Sequence, residues 1–280
     1  MIDATALPVS PTRHAGLRWS PATRFDFCRS ARLATLVAGE CRAAAMNGPL
    51  AFVRTADDHV LPVALLGLGP DPGAPPHNLF VDANGRWRGR YVPAALRAYP
   101  FTMGKAAGPA DAAAAGAPAS APAPVLCAYF DSGLIGEQGT LPLFDEAGKP
   151  AEALGKVLAF LQAVHAGENH TRSVCAVLTA LELLVPWPVT LQAAAGQRQV
   201  NGLLHVDEHR LNALPDTGWA QLRQVGGLAM IYAQLQSEQM LPGFLQAATA
   251  PHEAPPRDRA TPANLDFLQE DHLDFSSLLD

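Results

Sequence analysis

The sequence is short of charged residues, and lysine is especially scarce. Asp, Glu, Lys and Arg make up 16% of the 280 residues, and the formal net charge is −6. Nucleic-acid-binding domains usually present a basic face, so this composition argues against nucleic acid as a partner. The apolar run CAVLTALELLVPW is too short to cross a bilayer and contains Glu182, so no membrane span is expected.

The sequence also lacks the short motifs that bind common cofactors or carry a nucleophile. It contains no G-x-G-x-x-G, no G-x-x-x-x-G-K-[ST] and no G-x-S-x-G. These motifs mark dinucleotide sites, nucleotide-phosphate sites and hydrolase nucleophiles, respectively. We therefore expect no cofactor and assign no catalytic residue.

Neither the cysteines nor the first residues indicate export. The cysteines, which are far apart and form no C-x-x-C pair, are Cys28, Cys41, Cys127 and Cys175. The simplest expectation is that all are reduced and buried. The first residues lack a basic stretch followed by an apolar core, so we expect no signal peptide and a cytoplasmic location. Export by an unconventional route stays open.

The N-terminal half of the sequence predicts a helix followed by hairpins. Residues 30–46 carry helix formers with apolar residues at helical spacing. The runs at 50–55 and 60–68 flank a turn and predict a β-hairpin, in which Pro62 favours an edge strand or a bulge. A third strand is predicted at 78–81. A DANG turn, a returning strand at RWRGRYV and a short helix at PAALRAY follow it.

The C-terminal half predicts helices around one further strand pair. Helices at 151–167 and 170–184 are joined by a loop at HAGENH, and strands follow at 185–192 and 197–207. Helical patterns continue to about residue 246. The expected fold class is α+β, with a mixed or antiparallel sheet built from several hairpins and helices packed on it. We expect one globular domain over residues 13–246.

Two segments fall outside this pattern. Residues 104–124 contain no aromatic or large aliphatic side chain, which predicts a flexible insertion. Residues 247–280 predict a Pro-rich linker and an acidic tail that also carries leucines and phenylalanines. Residues 261–280 are expected to dock on a protein or peptide partner or to fold back on the chain, and a disordered tail is the alternative.

Two polar positions in the sequence have more than one chemical interpretation. An H-x-D pair such as His205 and Asp207 can bind non-haem iron together with a distant second histidine. A surface turn in which Asp207 caps the next helix explains the same residues. We expect no metal, with His205 and Asp207 as the candidates should one bind. Glu40 is expected to be solvated or linked to a helix cap, with a functional carboxylate as the alternative.

The block from residue 77 to 101 carries the candidate binding residues, because its arginines alternate with aromatic side chains. Such pairs can bind a carboxylate, a phosphate or an aromatic ligand. A strand with its arginines outward and its aromatics inward predicts the same alternation. The candidates for a ligand- or partner-binding surface are Arg86, Trp87, Arg88, Tyr91, Arg97 and Tyr99.

This block resembles the SapC family of bacterial proteins. The matching patterns are NLF-x-D-x-x-G-x-W, from Asn78 to Trp87, and Y-x-P-x-x-L-R-x-Y-P-F, from Tyr91 to Phe101. Upstream, Glu40 with PLAFV and LLGLG fits the family. Downstream, LLVPWPV, NGLLHVDEHRLNALPD and GGLAMIYAQLQS fit it. The resemblance covers about residues 13 to 246.

The resemblance implies an association with bacterial surface layers, TonB-dependent uptake or peptide and tryptophan modification. It implies no catalytic residue. The resulting hypothesis is a non-catalytic accessory or binding protein with a protein or peptide partner. The alternatives are a non-haem metal-dependent oxygenase and a structural component of the surface layer.

Overall fold

The chain alternates short strands with helices of very different lengths. The computed structural model describes residues 5–68, 77–105, 124–193 and 196–249. Its strands are β1 (Leu7–Pro8), β2 (Arg18–Trp19), β3 (Leu33–Thr35), β4 (Leu50–Arg54), β5 (Val60–Leu65), β6 (Phe101–Lys105), β7 (Pro124–Ala128), β8 (Ile135–Gly136), β9 (Leu141–Pro142), β10 (Leu184–Pro186), β11 (Val189–Ala193), β12 (Gly196–Val200) and β13 (Leu203–Val206). Its α-helices are α1 (Pro11–His14), α2 (Cys41–Ala44), α3 (Ala94–Arg97), α4 (Glu152–Ala180), α5 (Glu208–Asn212), α6 (Asp216–Gln224), α7 (Leu228–Ser237) and α8 (Leu241–Thr249).

Two antiparallel sheets matter most for the site. The larger has the strand order β10-β13-β4-β5-β3, and the smaller has the order β1-β7-β6. Strand β3 is therefore one edge of the larger sheet, and β6 is one edge of the smaller. The remaining pairings are β8-β2-β9 and the hairpin of β11 with β12. The predicted α+β class with antiparallel hairpins is confirmed.

The predicted hairpin of β4 and β5 is confirmed, but the expectation that Pro62 marks an edge strand or a bulge is wrong. Strand β5 lies between β4 and β3, and Pro62 pairs in register with Phe52. The Pro62 carbonyl accepts a hydrogen bond from the N–H of Leu36, so its nitrogen also faces the β3 side. Strand β3 ends at Thr35, so the backbone N–H that Pro62 lacks would lie at the end of the hydrogen-bond ladder between β3 and β5.

The predicted helix over residues 30–46 is largely wrong. Its first part forms β3, which pairs with β5 from Leu33 opposite Leu65 to Thr35 opposite Val63. Only a 3-10 turn at Ala38–Glu40 and the short helix α2 remain helical. Helix-forming composition is a weak preference, and pairing with the buried strand β5 overrides it.

The predicted third strand at 78–81 is also wrong, because only an isolated bridge joins Val81 to Trp87. The predicted DANG turn is present. Asp82 Oδ1 accepts the N–H groups of Asn84 and Arg86, and Gly85 has a positive φ of 77°. An Asp side chain that bonds its own turn, followed by a glycine with positive φ, is a standard means of reversing the chain. The predicted helix at PAALRAY is present as α3.

The longest helix, α4, connects two hydrophobic clusters, and the loop predicted at HAGENH is wrong because α4 continues through it. In its first half, Leu154, Val157 and Leu161 pack in a cluster with residues of the smaller sheet, including Phe101. In its second half, Val174 and other apolar residues pack in the cluster that contains Phe52 of the larger sheet. The middle of α4 therefore lies where the two sheets meet.

Most of the predicted insertion, and nearly all of the predicted linker and tail, lie outside the described residues. The ends of the insertion are in strands, since β6 includes Gly104 and Lys105 and β7 begins at Pro124. Helix α8 continues to Thr249, beyond the predicted domain end at residue 246.

Candidate functional site

Glu40 is a buried carboxylate that joins two segments distant in sequence. It is 2% exposed and ends the 3-10 turn before α2. Its Oε2 accepts the N–H of Val37 at 3.0 Å, and its Oε1 accepts the Tyr91 hydroxyl and the Ala94 N–H, each at 2.6 Å. The cap-linked expectation is confirmed and the solvated one is wrong. The sequence around Glu40 alone could not show that its second set of partners comes from residues 91–94.

Arg97 faces this carboxylate from between two aromatic rings. Its Nη2 lies 3.9 Å from Glu40 Oε1 and donates to the Tyr91 hydroxyl at 3.0 Å. Its guanidinium carbon lies 5.2 Å from the Tyr91 ring centre and 5.0 Å from that of Phe160. The Arg97 side chain is only 12% exposed, a partly desolvated setting in which cation–π contacts are strong.

The protonation of Tyr91 follows from this arrangement. Burial raises the pKa of Tyr91, the charge on Glu40 raises it further, and Arg97 only partly opposes both. The hydroxyl therefore stays protonated at neutral pH and acts as a donor to Glu40. Glu40, Tyr91 and Arg97 form one network, which we call the Glu40 latch because it fastens α3 to the turn before α2.

Asn47 and Trp87 hold the backbone of Tyr91 in position. The Asn47 amide donates to the Tyr91 carbonyl at 2.6 Å and accepts the Arg90 N–H at 2.8 Å. The Trp87 indole N–H donates to the same Tyr91 carbonyl at 2.9 Å. These side-chain hydrogen bonds hold residues 90 and 91 in place of the backbone hydrogen bonds of a strand pair. The predicted returning strand is therefore absent.

A cavity of about 270 Å³ lies beside the latch, at the junction of the two sheets and the middle of α4. Its lining residues come from five segments: Thr35–Val37 and Glu40, Leu61, Ala94 and Ala95, Phe101–Met103, and the α4 residues Leu161, Val164, His165, Glu168, Thr171 and Arg172.

The cavity runs along strand edges rather than over a sheet face. Successive side chains of a strand point to opposite faces, yet Phe101, Thr102 and Met103 all line the cavity. A space along the edge of β6 accounts for contact with all three. On the other side, Thr35 ends the edge strand β3. Two sheet edges therefore border the same space.

The α4 wall of the cavity is polar and charged. His165 Nδ1 and Glu168 Oε2 are 3.1 Å apart, and Arg172 Nη2 lies 3.7 Å from the same Glu168 oxygen. Thr171 accepts the N–H of Ala38 at 2.8 Å, which fixes the turn before Glu40 to this wall. The sequence pattern does not predict this group, because it indicates a loop at residues 165–170. On one helix, the i, i+3, i+7 spacing of His165, Glu168 and Arg172 places them on one face.

The six predicted binding residues occupy different settings in the structure. Tyr91 and Arg97 meet in the latch. Trp87 packs on Phe80, with ring centres 5.3 Å apart, and Tyr99 stacks on Phe27 at 3.8 Å. Arg86 and Arg88 are exposed and project from the loop that holds Trp87.

The two metal candidates are used in other contacts. His205 Nδ1 lies 2.9 Å from Glu238 Oε1, and its ring stacks on Trp187. Asp207 accepts the N–H groups of His209 and Arg210 and so caps α5, as one of the two interpretations predicts. Hydrogen bonds from these N–H groups lower the pKa of Asp207. Across residues 5–68, 77–105, 124–193 and 196–249, no three His, Cys, Asp or Glu side chains are grouped to hold a metal ion.

The fold and site define an α+β protein with a cavity between two sheet edges. The chain belongs to the SapC family, whose model matches residues 9–242. The family predicted from the Asn78–Trp87 and Tyr91–Phe101 patterns is thus confirmed. No curated protein and no solved structure matches the chain. None of the helices in the described part of the chain is long and apolar enough to cross a membrane.

Proposed function

We propose that this SapC-family chain is a non-catalytic accessory protein that binds its ligand or partner segment in the cavity beside the Glu40 latch. The observation that carries this function is the cavity itself, which is bordered by two sheet edges and a charged helix wall. Small-ligand and peptide sites are concave, mostly apolar and provided with a few convergent polar groups. The cavity has this composition.

The Glu40 latch supports binding rather than acid–base chemistry. Its two carboxylate oxygens already accept three hydrogen bonds from the chain itself, so the latch sets the shape of the cavity wall. A pre-formed wall lowers the cost of ordering the site when a ligand enters. The charged group on α4 is left to contact what binds.

The proposal includes a cytoplasmic protein or peptide partner from a surface-layer, uptake or peptide-modification system. The exposed Arg86 and Arg88 form a second proposed contact, which is suited to acidic or carboxylate groups. The acidic residues 261–280 remain a proposed docking segment. Comparing the partners captured by the full chain and by a chain ending at residue 260 tests that segment, and identical partners would remove it from the proposal.

A blocked cavity tests the central part of this function. Ala95 is an exposed residue of α3 that lines the cavity, so Ala95→Trp places a large ring in it. Ala176→Trp adds the same ring at an exposed α4 position that does not line the cavity. A fragment library screened by ligand-observed NMR should give hits that bind the wild type and Ala176→Trp but not Ala95→Trp.

Two results would oppose the proposal. Fragments that bind all three proteins equally would place binding elsewhere, and a library without hits would argue against a binding cavity. Circular dichroism and the thermal midpoint of each variant establish that the fold is intact.

A further inference from the structure

We propose that the cavity takes an extended peptide, which adds as a strand to the edge of β6 that no described strand covers. This inference rests on the proposed binding function and names the chemistry of the ligand. It differs from a small-molecule site because recognition comes chiefly from backbone N–H and C=O groups.

The pattern of hydrogen bonds in the smaller sheet shows which backbone groups of β6 point away from β7. The Tyr129 N–H donates to the Pro100 carbonyl, and Val9 N–H donates to the Leu126 carbonyl. In an antiparallel pair, hydrogen-bonded and non-hydrogen-bonded positions alternate. Leu126 therefore directs its groups toward β1, and its partner Met103 directs its N–H and C=O away from β7.

Met103 thus presents one donor and one acceptor along the outer edge of β6. No described strand pairs with that edge, because β6 ends the order β1-β7-β6. The same residue lines the cavity. A donor and an acceptor side by side on an edge strand fit the backbone of an extended chain, which is the basis of binding by strand addition.

The opposite wall has a related arrangement. Leu36 N–H donates to the Pro62 carbonyl, so the intervening Thr35 directs its N–H and C=O away from β5. Thr35 also lines the cavity. An inserted peptide would meet backbone groups from two sheets, while the side chains of His165, Glu168 and Arg172 contact its polar groups from α4.

Two substitutions of Met103 distinguish a backbone contact from a side-chain contact. Met103→Pro removes the outward N–H, which β7 does not use, and proline is tolerated at such positions of edge strands. Met103→Ala removes the side chain but keeps the N–H. The probe is a peptide of about ten residues, near the upper length of a strand, enriched from a random displayed library on the wild type and depleted on Ala95→Trp.

The expected result is a loss of affinity by about tenfold or more in Met103→Pro, against about threefold or less in Met103→Ala, measured by fluorescence anisotropy. Equal affinity of the two variants would overturn strand addition. Should Met103→Pro fail to fold, single N-methyl groups along the synthetic peptide give the same information on the wild type. Strand addition predicts loss of binding at alternate positions, and the absence of that alternation would overturn it.

The outcomes also separate this inference from the proposed function. Fragments excluded by Ala95→Trp, together with a library from which no peptide is enriched, would retain the binding cavity and overturn strand addition. The absence of both fragments and peptides would remove the binding function as well.

Discussion

Replacing Glu40 by alanine removes the shared acceptor of the latch and leaves three buried donors without a partner. The donors are the Val37 N–H, the Tyr91 hydroxyl and the Ala94 N–H. Each unsatisfied buried donor costs roughly 1–3 kcal/mol, which gives roughly 3–9 kcal/mol for the three. Because Glu40 lines the cavity, water can reach some of them, so we expect a loss of about 4 kcal/mol.

Glu40→Gln is a more conservative substitution at the same position. Glutamine keeps one oxygen for Tyr91 and Ala94, but its NH₂ group meets the Val37 N–H, and the negative charge that attracts Arg97 is lost. The expected cost is about 2 kcal/mol, between wild type and Glu40→Ala. Glu168→Gln is the matched control, because its carboxylate lines the same cavity but is 44% exposed. We expect that control to cost about 1 kcal/mol or less.

Equilibrium unfolding in urea, followed by circular dichroism, measures these differences. The free energy of unfolding should fall in the order wild type, Glu168→Gln, Glu40→Gln, Glu40→Ala. A loss below about 1 kcal/mol in Glu40→Ala would refute the idea that the latch holds the cavity wall, since that is the range of an exposed ion pair.

Two further predictions concern packing and pH. Gly67→Ala should strongly destabilise the chain, because an added Cβ would lie 1.8 Å from the His77 carbonyl oxygen. Gly155→Ala in α4 meets no atom within 4 Å and should instead stabilise it by up to about 1 kcal/mol, as thermal midpoints will show. Burial raises the pKa of Cys28 and of Cys175 to about 12. The folded state therefore holds these protons while the unfolded chain loses them, and stability should fall as the pH rises from about 9 toward about 12. Cys175→Ala should flatten this decline in urea titrations at pH values of about 8.5 and about 10.5, and an unchanged slope would oppose the assignment.

Local patterns in the sequence were sufficient for the parts of the fold that local chemistry determines. The hairpin of β4 and β5, the turn closed by Asp82 and Gly85, and the cap that Asp207 provides follow from residue types at fixed spacing. The family was likewise identifiable from the motifs around Trp87.

Parts that depend on tertiary contact were not predictable from the sequence. Gly167 lies in the HAGENH stretch that was predicted as a loop, but α4 continues through it, and an added Cβ there would lie 3.4 Å from the Val37 side chain. That distance is an ordinary van der Waals contact, so the packing does not require a glycine there. Residues 33–35 have helical composition and become a strand only because β5 lies beside them. The cavity joins five segments, so no single stretch of sequence could reveal it.

An amide chemical-shift titration of the ¹⁵N-labelled protein with the enriched peptide is the sharpest test of peptide binding between the two sheet edges. The largest changes should fall on the cavity edges, at Thr35, Leu36, Thr102 and Met103, and they should be absent in Ala95→Trp. Changes confined to Arg86 and Arg88, with the cavity amides unmoved, would contradict it.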